Sequence, residues 1–88
     1  MTRKQKLQTI GLDLKRISEY IAQGRKKERI DYWVDEIKSL MDVEIPENLK
    51  HTFEILPWKD LFGKKYSLSL ADQLCTFGSI ISLRARDL

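Results

Sequence analysis

The apolar residues near the start of the chain recur every three or four positions: Leu7, Ile10, Leu14, Ile17 and Ile21. On a helix this spacing aligns side chains along one face, so the pattern predicts a helix over residues 3–23. Several charged residues fall largely outside that stripe: Lys6, Asp13, Lys15, Arg16 and Glu19. Thr2 can cap this helix, but cations follow it where the helix dipole favours anions, so we expect the first turn to fray.

The first apolar stripe does not continue past Gly24, because the next positions along it carry Glu28, Asp31 and Asp35. A second stripe predicts a helix over residues 27–42, and its members are Ile30, Trp33, Val34, Ile37, Leu40 and Met41. Glycine commonly ends a helix, and the connection after it is short and polar. We therefore expect an N-terminal antiparallel helical hairpin.

Charge is divided unevenly along the chain. Residues 1–29 carry a net charge of +6, residues 30–62 carry −5 and residues 63–88 carry +2, for a total of +3. In an antiparallel hairpin that turns near Gly24, Lys15 and Arg16 are expected beside Asp35 and Glu36. Exposed ion pairs contribute only about 0–1 kcal/mol each, so they select the packing face more than they stabilise it.

The second half of the chain also follows helical spacing. Pro46 suits a first helical turn, and Leu49, Phe53 and Leu56 predict a helix over residues 46–56. A strand over residues 52–56 is the alternative. Pro57 forces the preceding residue out of helical geometry, and residues 57–62 are expected to form a single helical turn that ends on Gly63.

A last helix is predicted over residues 69–86, where the apolar positions are Leu70, Leu74, Phe77 and Ile81. Gly78, Ser79 and Ser82 form a narrow face on it that suits close packing against Gly11. The fold class is therefore all-α, a small bundle of three to four helices built on the N-terminal hairpin, in one domain over residues 1–88. Four Gly and two Pro are too few for a turn-rich β fold.

The sequence predicts no membrane association. No segment approaches the roughly 18 consecutive apolar residues that a membrane span needs. No apolar run follows the basic N-terminus, so a cytoplasmic location is expected. Cys75, the only cysteine, lies between apolar residues and is expected to be a small buried side chain.

Nothing in the sequence selects a reaction. His51 is the only histidine, and its pairing with Glu54 lacks both a third metal ligand and a nucleophile, so we expect an ordinary surface histidine. No glycine-rich phosphate loop or cysteine pair occurs. We therefore predict a protein that is not an enzyme and that holds no cofactor or metal.

By elimination, the sequence favours a small protein–protein interaction or regulatory module of adaptor or inhibitor type, whose partner is another protein or a second copy of itself. Large apolar side chains beyond the needs of a thin core support this hypothesis, Trp33 among them. The candidate contact residues are Trp58, Leu61, Phe62, Arg25, Lys26 and Lys27. A simple solvated turn is the other interpretation of the three cations.

DNA binding is the alternative function. Residues 70–84 partly resemble a helix-turn-helix element, with Ala71 at the helix crossing and Ser79 as the cap of a recognition helix. The candidate DNA-contacting residues are Ser79, Ser82, Arg84 and Arg86. Cys75 stands where such motifs usually have Gly, and Arg84 replaces an expected apolar residue. One uniform amphipathic helix explains the same residues.

Overall fold

The computed structural model describes residues 1–88 and consists of helices joined by short loops. The helices are α1 (Arg3–Ala22), α2 (Lys27–Leu40), α3 (Glu47–Ile55), α4 (Trp58–Phe62) and α5 (Leu68–Ala85). The all-α prediction is confirmed, and each helix boundary lies within two residues of the one expected from sequence. Residues 52–55 are helical, so the strand alternative is wrong.

The turn between α1 and α2 is set by Gly24. Its φ is +63°, in the left-handed region that residues other than glycine rarely adopt. The Gly24 N–H donates to the Ile21 carbonyl at 3.1 Å and the Arg25 N–H donates to the Tyr20 carbonyl at 2.9 Å. This is a Schellman motif, which satisfies two carbonyls at the end of α1 and reverses the chain.

The hairpin is antiparallel, as predicted. Near the turn, the rings of Tyr20 and Trp33 pack edge to face with centroids 4.7 Å apart. At the opposite end, the Lys6 Nζ lies 3.2 Å from the Asp42 Oδ1, and Arg3 pairs with Glu44 at 3.6 Å. The start of α1 is therefore held against the loop that follows α2.

The predicted charge pairing along the middle of the hairpin is wrong in detail. Arg16 lies 3.5 Å from Asp13 on its own helix, and Asp35 pairs with Lys64 at 3.9 Å. The Lys15 side chain runs beside Gly78 of α5. The prediction considered only α1 and α2 and therefore placed Lys15 on the α2 side. Because α1 packs against α5 as well, Lys15 faces α5.

The first turn of α1 is capped, contrary to the expected fraying. The Thr2 hydroxyl accepts from the Gln5 N–H at 3.1 Å, and the Gln5 side chain accepts from the Thr2 N–H at 2.9 Å. This reciprocal capping box satisfies two backbone donors. It offsets the unfavourable position of the cations near the positive end of the helix dipole.

Helix α5 packs antiparallel along α1 at very close range. A Cβ atom placed on Gly11 would lie 3.0 Å from the Gly78 carbonyl oxygen and 2.5 Å from the Ser82 Oγ. One end of this contact is tied by the Ser18 hydroxyl, which donates to the Ala71 carbonyl at 2.6 Å. The predicted close packing of Gly11 on α5 is confirmed for Gly78 and Ser82, whereas Ser79 is exposed.

Because α1 packs against both α2 and α5, its buried arc is wider than the apolar stripe. Asp13 lies inside that arc and is 0% exposed, although it falls outside the apolar stripe of the sequence. The Asp13 Oδ2 has no hydrogen-bond partner. Burial is the main reason that the pKa of Asp13 rises from 3.8 to about 8, and the nearby Glu36 of α2 raises it further.

The two short helices close the remaining sides of the core. Leu56 has extended backbone angles immediately before Pro57, as the steric demand of proline predicts. Helix α3 packs on α5, and α4 packs on α2. The completely buried side chains of the core are Leu7, Ile10, Leu14, Ile17, Val34, Ile37, Leu49, Leu61, Leu74, Ile81 and Ala85.

Replacing Lys64 by Gly should raise the free energy of unfolding by about 0.5–1 kcal/mol, measured by urea denaturation. Lys64, and not the adjacent Gly63, adopts the left-handed conformation, with φ of +58°. The Lys64 N–H and the Lys65 N–H donate to the carbonyls of Leu61 and Asp60, which repeats the arrangement after α1. The matched control is Lys65→Gly, which should not stabilise; equal gains from both variants would contradict the assignment of strain to Lys64.

Candidate functional site

The clearest surface feature is a depression of about 750 Å³ at the turn of the hairpin. It is lined by the end of α1, the turn and the start of α2: Tyr20, Gly24, Arg25, Lys26, Glu28, Arg29 and Tyr32. We call this the basic turn surface. It includes two of the three turn cations predicted as partner contacts, while Lys27 is exposed beside it.

Aromatic rings hold the guanidinium groups of the basic turn surface in place. The Arg25 guanidinium lies over the Tyr20 ring, 4.6 Å from its centroid, and that of Arg29 lies 5.7 Å from the Trp33 centroid. Tyr20 and Trp33 pack against each other, so both arginines stand on one aromatic pair. A cation over an aromatic ring is attracted by the ring's quadrupole. This attraction orders two side chains that would otherwise be mobile.

The cations of this surface are not neutralised within the protein. None of the ion pairs in the structure involves a cation of the segment 25–29. At the other end of the hairpin, Arg3 and Lys6 are both paired with carboxylates. The positive charge of the N-terminal third is therefore available to a ligand mainly at the turn.

Helix α2 adds to the positive potential at this surface. It begins at Lys27, and Lys26 at the N-cap position offers no side-chain acceptor to the first N–H groups. Unsatisfied N–H groups at a helix start carry a partial positive charge. Glu28 is the single carboxylate in the lining of the depression and lies in this first turn.

The structure separates the apolar candidates of α4. Leu61 is completely buried, so this predicted partner contact is part of the core. Trp58 and Phe62 are half-buried, and Trp58 donates its Nε1–H to the Phe53 carbonyl at 2.7 Å. Trp33 is 8% exposed and also belongs to the core. The surplus of exposed aromatic surface expected from the sequence is therefore smaller than predicted.

A shallow groove of about 290 Å³ runs beside Trp58. Its lining is mostly apolar, with one residue of each charge, and consists of Met41, Ile45, Lys50, Phe53, Glu54 and Trp58. Nothing about the groove identifies an occupant. The α4 region is thus a weaker candidate than the basic turn surface.

The proposed helix-turn-helix within residues 70–84 is wrong, because α5 is continuous from Leu68 to Ala85. Ser79, Ser82 and Arg86 line one depression of about 210 Å³ together with Lys15 and Leu83. Arg84 is not part of it, since its guanidinium donates to the Asn48 carbonyl of α3. Three of the four residues proposed to contact DNA are therefore together, but without a separate recognition helix.

Cys75 is exposed, so its expected burial is wrong. It follows Leu74 by one position, which rotates it away from the α1 contact and onto the outer face of α5.

His51 is exposed, as expected of a surface histidine. No three potential metal ligands lie together in the structure, and none of the five helices combines the length and apolar character needed to cross a membrane.

Four side chains of the basic turn surface are not among the contact residues predicted from the sequence, namely Tyr20, Glu28, Arg29 and Tyr32. A signal for Tyr32 is present: it lies outside the α2 stripe, and the structure leaves it 58% exposed. The stacking of Arg25 and Arg29 on rings of both helices depends on how the hairpin closes.

Comparisons of the chain with protein families, curated protein sequences and solved structures find no match.

Proposed function

We propose that this protein is a small, non-enzymatic interaction module that binds an acidic partner protein through the basic turn surface. The carrying observation is that its cations lack carboxylate partners, whereas Arg3 and Lys6 at the other end of the hairpin are both paired. An adaptor or an inhibitor would act in this way, by occupying a surface of its partner.

The stacking of two arginines favours a role of this surface in binding a partner over a role in keeping the protein soluble. A free arginine side chain loses rotamer entropy when it binds, and a side chain already held against an aromatic ring loses less. Arginine is also among the residues enriched where binding energy is concentrated. Arg25 and Arg29 meet both conditions, together with an exposed tyrosine, Tyr32, on the same surface.

The double charge reversal Arg25→Glu with Lys26→Glu should weaken binding of the partner by about tenfold or more, because two attractive contacts become repulsive. The partner is first obtained by affinity capture from the native host, with nuclease present. Its affinity for each purified variant is then measured by calorimetry. Both replaced side chains are exposed, so the fold should be retained.

The matched control is Lys59→Glu with Lys65→Glu, which changes the net charge equally at exposed positions away from the turn. This control should bind as the wild type does. Equal loss in both double variants would show a nonspecific charge effect and contradict the proposed surface. Capture that disappears on nuclease treatment would favour the DNA-binding alternative, and a dimer disrupted by the turn reversal alone would identify the partner as a second copy.

A further inference from the structure

The charge of the basic turn surface matches a compact dianion. Arg25, Lys26 and Arg29 contribute three positive charges to the lining of one depression, and Glu28 contributes one negative charge. The net value of about +2 suits a phosphate monoester, which carries roughly −1.5 to −2 at pH 7. A single carboxylate carries half as much charge into the same space.

The arginine geometry also fits a phosphate. The guanidinium carbons of Arg25 and Arg29 lie over aromatic rings, and neither group is in an ion pair, so the N–H edge of each is available to a ligand. That edge is a planar fork of donors that matches phosphate oxygens in a bidentate manner. The side chains of Tyr20 and Tyr32 line the same depression, and phenol hydroxyls can donate to an anion as well.

The cation cluster is too local for an extended polyanion. A nucleic acid backbone places phosphates at regular intervals, and its affinity comes from many cations along the path. Here the molecule is 34 Å long, and two of the cations at the far end of the hairpin, Arg3 and Lys6, are paired with carboxylates. The unpaired cations of the hairpin are concentrated at the turn, and a compact cluster of this kind fits one anionic group better than a chain of them.

From these observations, and resting on the function proposed above, we infer that the basic turn surface recognises a phosphorylated side chain of the acidic partner protein. Arg25 and Arg29 hold the phosphate oxygens through their N–H edges. Lys26 supplies the third charge. The module therefore binds its partner more tightly after the partner has been phosphorylated.

The test uses the full chain labelled with ¹⁵N and titrated with blocked phosphoserine, with blocked aspartate as the comparison probe. Phosphoserine should shift the amide signals of residues 24–29 in a saturable manner, with an affinity at least about tenfold higher than that of aspartate. The variant Arg25→Gln with Arg29→Gln should lose this response. Lys59→Gln with Lys65→Gln should keep it.

A pH series supplies a second readout. The second pKa of a phosphate monoester is about 6, so the affinity for phosphoserine should rise several-fold between pH 5 and pH 7.5. Inorganic sulfate remains a dianion throughout this range, and its affinity should change little. An affinity for phosphoserine that does not rise with pH would overturn the assignment of a dianion site.

The remaining outcomes separate this inference from the proposed function. If aspartate binds the turn as tightly as phosphoserine, the phosphate preference is wrong while an acidic partner still fits. If a single-stranded oligodeoxynucleotide binds residues 24–29 more tightly than phosphoserine, the ligand is a nucleic acid and the inference is overturned. If no anion shifts these residues and the turn reversal leaves partner capture unchanged, the proposed function fails with it.

Discussion

Replacing Asp13 by Asn should raise the free energy of unfolding by about 1–3 kcal/mol at alkaline pH and reduce its dependence on pH. Asp13 of α1 is fully buried near Glu36 of α2, and its Oδ2 accepts no hydrogen bond. A proton on this carboxyl turns it into a donor toward the Glu36 carboxylate. Asn provides a donor at the same place and does not ionise.

The direction of the pH dependence follows from the pKa values. Burial first, and then Glu36, raise the pKa of Asp13 from 3.8 to about 8, while Arg16 at 3.5 Å lowers it. The unfolded chain therefore releases this proton near pH 4 and the folded chain near pH 8. The stabilisation is fully present below about pH 4, declines as the pH rises and is lost above about pH 8.

Urea denaturation of the wild type and Asp13→Asn at intervals between pH 4 and pH 9 measures this difference. The control is Asp72→Asn, at an exposed position of α5, which should leave the slope of the wild type unchanged. If Asp13→Asn is less stable than the wild type at every pH, the carboxylate is ionised in the fold and its contact with Arg16 is the dominant one.

Replacing Gly11 by Val should lower the free energy of unfolding by about 3 kcal/mol. The Cβ atom alone would lie 3.0 Å from both the Gly78 carbonyl oxygen and the Ser82 backbone nitrogen. Backbone atoms cannot rotate away as the Ser82 hydroxyl can, so α1 and α5 must separate. Separation weakens the most extensive helix pair of the fold.

Thermal and urea denaturation check this result, and Ser79→Val is the matched control. Ser79 is exposed on α5, so valine there should cost less than about 1 kcal/mol through helix propensity and the lost hydroxyl contact with Cys75. Adding Ser82→Ala to Gly11→Val should recover only part of the loss. Near-normal stability of Gly11→Val would mean that the two helices do not pack this closely.

The helices and the hairpin could be predicted from sequence because they depend on local spacing and on glycine at position 24. The contact of Gly11 with Gly78 could also be predicted, because small residues on two helices allow their backbones to approach closely. The burial of Asp13 could not be predicted, because an apolar stripe describes packing against one neighbouring helix and α1 has two. The burial predicted for Cys75 is wrong for a related reason, because residues adjacent in sequence point in different directions on a helix.

The candidate site was predictable only in part. The cations of residues 25–27 are visible in the sequence, whereas their lack of carboxylate partners depends on where every other charge lies. Arg84 shows the same limit: its partner, Asn48, lies 36 positions away in the chain. Stacking of Arg25 on Tyr20 requires the chain reversal at Gly24, which brings residues from both sides of the turn together.

The close pairing of α1 with α5 also favours a particular order of folding. These two helices are separated by the whole of residues 23–67, so their contact must close a long loop, whereas the α1–α2 hairpin closes a short one. During synthesis α1 and α2 emerge before α5, and the strip around Gly11 and Leu14 stays uncovered until α5 has been made. Among these five helices, the one synthesised last therefore covers the one synthesised first.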